Sequence, residues 1–185
     1  MRKLSGPVAA LCTAGLALLV PASSLAGANP GATPKRPLTP RPPRALLHSH
    51  ELWATIDVCN TLKQPDTIGI RGSMPGDGRA HDEMFMSFHL QYLNAVNQWV
   101  ELEGSSSSSA YIDVGDAKAA RQGGWSFTLK PREGKPAFML RGIVDFKWAR
   151  GKTIVLNASR ATTSGHESTA GAEPKDYSAS SCSVG

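Results

Sequence analysis

The chain has 185 residues, 19% of them charged, and a formal net charge of +5 at pH 7. Residues 51–185 carry 14 Lys or Arg against 15 Asp or Glu. The positive excess therefore sits in the first 50 residues, and a basic nucleic-acid-binding face on the rest is excluded by count. A segment of that length buries roughly two-thirds of its unfolded surface and supports one core.

The N-terminus reads as a secretory signal over residues 1–28. Arg2 and Lys3 precede an apolar run from Val8 to Val20, and small-x-small cleavage sites follow at Ser24-Leu25-Ala26 and Ala26-Gly27-Ala28. The run is shorter than the roughly 20 apolar residues a membrane span needs, and Gly6, Pro7 and Pro21 bound it. No transmembrane segment is expected elsewhere. Residues 29–50 hold six prolines together with Lys35, Arg36, Arg41 and Arg44 and no acidic residue, the composition of a stiff, extended linker. Its four charges attract an anionic wall polymer or headgroup only weakly and cannot specify one. His48 and His50, at i and i+2, are a metal-ligand pair only if a third ligand joins them.

From Glu51 the hydrophobic period is two, which predicts half-buried strands. Leu52, Ala54, Ile56 and Val58 alternate with Trp53, Thr55, Asp57 and Cys59. Further strands are expected at Thr67–Gly72, Met84–Tyr92, Gln98–Glu103, Tyr111–Val114 and Trp125–Leu129. A long hairpin follows, Phe138–Ala149 and Lys152–Thr163 turning at Arg150-Gly151, and the last strand is Tyr177–Val184. Short Gly- and Pro-bearing segments such as "MPGDG" and "KPREGKP" supply the turns. Only "GDAKAARQGG" resembles a helical turn or two. The expected fold is all-β: an antiparallel, immunoglobulin-like β-sandwich over residues 51–185.

Three cysteines are present, at 12, 59 and 182. Cys12 leaves with the signal, so Cys59 and Cys182 remain, and in an oxidising compartment such a pair forms a disulfide. It would join the first strand to the last. Two buried thiols, or a bridge between molecules, are the alternatives.

The blocks "LWATIDVCNTLKQPDTIGIRGSMPG", "FMLRGIVDFKWARGKTIV" and "SGHESTAGAEPKDYSASSC" resemble a family of small secreted β-rich proteins from high-GC actinobacteria. The resemblance implies secretion and paired cysteines. It transfers no catalytic residue.

Candidate chemistry is thin. Asp77, His81, Asp82 and Glu83 crowd the loop "PGDGRAHDEM", an arrangement by which extracellular modules hold Ca²⁺ weakly, although Arg79 competes. Ser73 in "GSMPG" lacks the Gly-x-Ser-x-Gly spacing of a nucleophile elbow. His166 beside Glu167 could act as a base. Ser105 to Ser109 read as a loop tip with nothing to pack. Asn157 begins a glycosylation sequon in the middle of a strand. Trp53, Trp99, Trp125 and Trp148 are expected in the core, Trp53 beside the disulfide.

The sequence therefore points to a secreted monomer without catalytic residue, cofactor or metal, acting as an interaction or structural module for an extracellular or cell-envelope partner. The competing expectation is a secreted hydrolase or carbohydrate-active enzyme using a His/carboxylate loop. An exposed aromatic groove would favour the first, a His–carboxylate pair in a cleft the second.

Overall fold

A computed structural model describes residues 40–104, 108–130, 134, 136–166 and 170–185. The expected signal at 1–28, Cys12 and the first half of the Pro-rich segment, residues 29–39, lie outside these residues. Among the described residues nine strands form two antiparallel sheets: β1 (Trp53–Cys59), β2 (Thr67–Met74), β3 (Arg79–Leu93), β4 (Trp99–Glu101), β5 (Ile112–Ala117), β6 (Arg121–Thr128), β7 (Phe138–Arg150), β8 (Thr153–Ala161) and β9 (Cys182–Val184). Among the described residues the single helix is α1 (Pro43–Leu46), and none is long and apolar enough to cross a membrane.

The smaller sheet runs β1-β2-β6 and the larger β4-β3-β7-β8. Strands β3 and β7 form the long central ladder, in register from Glu83–Ala149 to Tyr92–Leu140. Each outer edge of that ladder is shared: β4 and β5 pair with β3, while β8 and β9 pair with β7. The period-two pattern explains the layering. Met84, Met86, Phe88 and Leu90 are fully buried, and Leu140, Val144, Phe146 and Trp148 face the same interior from β7. Ala54, Ile56, Ile68, Ile70 and Phe127 close the core from the smaller sheet. The sheets approach closely at Gly72, where a Cβ would lie 3.0 Å from Val144 Cγ1 and 3.1 Å from Met86 Sδ, and at Gly142, where a Cβ would overlap the Ile70 side chain.

Cys59 and Cys182 are bonded, with Cα atoms 5.6 Å apart. The bridge links β1 of the smaller sheet to β9 of the larger one. The C-terminal segment holds both sheets in another way too. Ala179 exchanges two backbone hydrogen bonds with Ile56 (2.9 and 3.0 Å), and three residues later the chain pairs with β7. The last strand is therefore shorter than Tyr177–Val184, because the segment changes partner in its middle.

Other sequence expectations are corrected. "GDAKAARQGG" is the turn between β5 and β6: Asp116 Oδ1 accepts hydrogen bonds from Lys118 N–H (3.1 Å) and Arg121 Nη2 (2.8 Å), closing a turn in place of a helix. Packing begins before Glu51. Leu46 is 1% exposed within the core, and Arg160 Nη2 donates to the Leu47 carbonyl at 2.8 Å. A four-residue helix is too short to hold itself. Here Pro43 presets its first turn, and the buried Leu46 with the Arg160 clamp fixes it. The two serines of the run that are described, Ser108 and Ser109, are not an unpacked tip. Ser109 N–H donates to the Phe88 carbonyl, and its Oγ accepts from Phe88 N–H.

Candidate functional site

Of the four tryptophans only Trp148 is core, its indole N–H satisfied by the Pro75 carbonyl at 2.9 Å. Trp53 is half-buried, and its ring stacks on His166 with centroids 4.4 Å apart, not against the disulfide. Trp99 lies under the Arg141 guanidinium. Trp125 is 42% exposed. Phe138, which shares the alternation of Leu140 and Phe146, is also exposed.

A pocket of about 380 Å³ is lined by Asp57, Gln64, Arg71, Gly124, Ser126 and Gly171; Trp125 pairs with Ile70, so its ring stands on the opposite face of β6 from Arg71 and Gly124. The base of the pocket is an ion pair that the sequence reading missed. The register of β1 on β2 slips between Ile56 and Val58, leaving Asp57 as an extra residue. Such a bulge re-aims one side chain. Asp57 is thereby buried, 3% exposed, and accepts a hydrogen bond from Arg71 Nε at 3.1 Å. Burial raises its pKa above the ordinary aspartate value, against the opposing pull of Arg71.

Three glycines make room for this pair. A Cβ on Gly69 would lie 2.7 Å from Asp57 Oδ1, one on Gly124 would lie 2.9 Å from Arg71 Cζ, and one on Gly171 would lie 3.0 Å from Arg71 Nη2. A glycine inside a strand marks close approach of another group, and Gly69 and Gly124 face each other's neighbours across β2 and β6. The pocket wall is pinned through Glu173, whose carboxylate accepts from Thr61 Oγ1 (3.2 Å) and Gln64 Nε2 (3.0 Å) while its backbone N–H donates to the Asp57 carbonyl (2.8 Å). These hydrogen bonds and nearby Lys63 hold the Glu173 pKa below the usual glutamate range. The sequence signal available was the "GGW" in a strand, glycines next to an aromatic.

A second cluster lies on β3, β4 and β7. His89 Nδ1 is 2.7 Å from Glu101 Oε2, and its Nε2 is 3.3 Å from Asp145 Oδ2. Gln91 Nε2 donates to Glu101 Oε1 at 2.6 Å, and Arg141 Nε donates to Gln91 Oε1 at 2.8 Å. With Asp145 and Glu101 on opposite ring nitrogens, the His89 pKa is raised to about 9 despite partial burial. Asp145 is correspondingly lowered by His89. This cluster lines a pocket of about 390 Å³ with Ser108 and Ser109. Its chemistry is restricted: an imidazole holding both protons at neutral pH cannot accept one from a serine hydroxyl.

The loop residues expected as weak cation ligands are otherwise engaged. Asp82 is fully buried and receives both Nε and Nη2 of Arg150, each at 2.7 Å, a fork that lowers its pKa to about 2. Asp77 is buried and accepts from Arg79 N–H (2.8 Å) and Nη1 (3.1 Å). His81 and Glu83 are exposed, His81 Nε2 lying 3.4 Å from Asp82 Oδ1. Guanidinium groups thus occupy the places a cation would take, and among the described residues no three His, Cys, Asp or Glu side chains group as metal ligands. His48 and His50 are exposed beyond α1. His166 is bonded to Thr163 Oγ1 through Nε2 (3.1 Å) and its pKa is lowered by burial; Glu167 lies outside the described residues. Ser73 is buried on β2.

No protein-family model, curated protein or solved structure matches the chain.

Proposed function

We propose that the protein is a secreted, non-enzymatic binding module acting at or beyond the cell envelope, with its ligand site at the Asp57–Arg71 pocket. The observation that carries this is the buried Asp57–Arg71 pair in a cavity of about 380 Å³. Ligand pockets orient what they bind through a few fixed polar groups, and the Arg71 guanidinium, held by Asp57, is such a group. The interior disulfide between Cys59 and Cys182 supports an oxidising compartment, in keeping with the signal-like N-terminus. The immunoglobulin-like character belongs to the same reading. An order β1-β2-β6 opposed to β4-β3-β7-β8 follows the alternation of strands between sheets in that fold.

A hydrolase would draw on His89 and its carboxylates, but a ring protonated to about pH 9 leaves no base for Ser108 or Ser109. The test is retention of the full chain on purified cell wall and on soluble glycans, with Gly124→Ala, whose Cβ would lie 2.9 Å from Arg71 Cζ, alongside. Retention lost in the variant while its melting temperature is kept supports the site. Equal retention of both proteins would place binding elsewhere, and ester or glycoside hydrolysis lost in His89→Gln would replace the reading with the enzymatic one.

A further inference from the structure

The smaller sheet ends on an open strand, and the Asp57–Arg71 pocket lies beside it. We infer that the pocket receives an aspartate or glutamate side chain of an extended peptide, which adds to the free edge of β6 as a further antiparallel strand. This rests on the binding role just proposed and names its partner class.

β6 pairs with β2 alone, in unbroken register from Thr67–Thr128 to Met74–Arg121. Leu129 N–H continues that ladder by donating to the Asp66 carbonyl at 2.8 Å. Backbone groups alternate sides along a strand, so Gln122, Gly124, Ser126 and Thr128 turn their N–H and C=O away from β2. Among the described residues no strand receives them. Proteins blunt such edges with proline, charge or a bulge, and β6 has none of these between Gln122 and Thr128. The opposite edge of the same sheet, on β1, is covered by the chain itself: Thr163, Glu173 and Ala179 donate to the carbonyls of Ala54, Asp57 and Ile56.

The pocket adjoins the open edge. Arg71 stands opposite Gly124, and a Cβ on Gly124 would lie 2.9 Å from Arg71 Cζ and 3.1 Å from Nη1. The guanidinium therefore lies over β6, the last strand before solvent. Asp57 takes its Nε, and among the described residues no acceptor bonds Nη1 or Nη2. Those two nitrogens form a fork matched to a carboxylate. A residue facing Gly124 from an added strand would hold its Cβ about 4.5–5.5 Å from the Gly124 position, on the same face. An acidic side chain there reaches the fork. Its two neighbours fall on the other face, where Trp125 is 42% exposed. In strand addition, main-chain hydrogen bonds give affinity and alternate side chains give specificity, so one peptide meets groups on both faces of β6.

A second copy of the chain does not supply this occupant. β6 itself and β8, the end strand of the larger sheet, carry no acidic residue. Neither do residues 29–50.

The experiment is calorimetric titration of the full chain with three blocked peptides: Thr-Thr-Val-Asp-Val-Thr-Thr, its Asn match, and the Asp peptide N-methylated at Asp and every second residue from it. Amide exchange at Gly124, Ser126 and Thr128 is followed by NMR. The Asp peptide should bind at least about tenfold more tightly than the Asn peptide, the scale of a charge-assisted hydrogen bond, and slow exchange at those three amides. N-methylation should abolish binding. Ser126→Pro should do the same, since it removes an outward N–H and no bond to β2. Gly124→Ala, by displacing the guanidinium, should bring the Asp peptide down to the Asn level, whereas Trp125→Ala should weaken both peptides alike. Should Ser126→Pro unfold the protein, the N-methylated peptide carries the same test. Equal affinity for the Asp and Asn peptides overturns the inference, and so does binding that survives N-methylation. Slow exchange at the three amides in a peptide-free dimer overturns it in favour of a second copy. Failure of all three peptides, with Gly124-dependent retention on cell wall intact, overturns the inference alone. Failure together with loss of that dependence overturns the binding role as well.

Discussion

Leu46 tests where the fold begins. Its side chain is 1% exposed, in a helix of four residues anchored by the Arg160–Leu47 hydrogen bond of 2.8 Å. Truncation of a buried leucine to alanine costs about 2–5 kcal/mol, the spread depending on how far the site collapses. Because α1 lies at the periphery and can settle inward, about 3 kcal/mol is the expected cost for Leu46→Ala. A domain of this size shifts by roughly 2–4 °C per kcal/mol, so the melting temperature should fall by about 6–12 °C. Circular dichroism melts at neutral pH on the wild type and Leu46→Ala measure it, with Arg44→Ala on the exposed side of the same helix as a control. The control should stay within the range of about 0.5 kcal/mol typical of surface changes. A Leu46→Ala protein that melts with the control would refute the reasoning. The segment would then be detached in solution, and the domain would start at Glu51 as composition indicates.

Removing the disulfide with Cys59→Ser and Cys182→Ser frees a loop with a sequence separation of 123 residues, for which chain entropy gives a ceiling of about 5 kcal/mol; urea denaturation should read a loss of about 2–5 kcal/mol. On non-reducing gels the wild type should run as a monomer faster than its reduced form, and a covalent dimer would contradict the internal bridge. His89, with its pKa raised to about 9, should contribute stability that is full below its unfolded value near 6.5 and is lost as pH rises through 9. Melting temperatures of wild type and His89→Gln should therefore converge from pH 6 to pH 10, and a gap that stays constant would mean the ring is not charged. Asp82, lowered to about 2 by the Arg150 fork, contributes above its unfolded value near 3.8 and loses that contribution as pH falls through about 2. Acid titration of Asp82→Asn should show a shallower loss of stability over that window than the wild type.

The period-two pattern from Leu52 onward contained the strands, because alternation is a local consequence of one buried and one solvated face. It placed Met84, Met86, Phe88 and Leu90 inside, and the structure buries all four. The cysteine count contained the disulfide for a similar reason: with two lone thiols in the expected domain, only one internal pairing exists. Tertiary structure decided what local pattern cannot carry. Trp125 and Phe138 obey the same alternation as Phe127 and Leu140, yet they are exposed, since burial also requires an opposing sheet at that point along the strand. Leu46 sits in a Pro-rich stretch whose composition reads as a linker, and only the surface left by β8 makes it core. Asp77 and Asp82 read as ligands for a cation until Arg79 and Arg150 are placed beside them. Arg150 is 68 residues from Asp82 in the chain and 2.7 Å away in space. The Asp57–Arg71 pair rests on a bulge and three glycines drawn from β2, β6 and the C-terminal loop. No window of sequence holds those pieces together; a fold that brings distant strands side by side is what makes them one pocket.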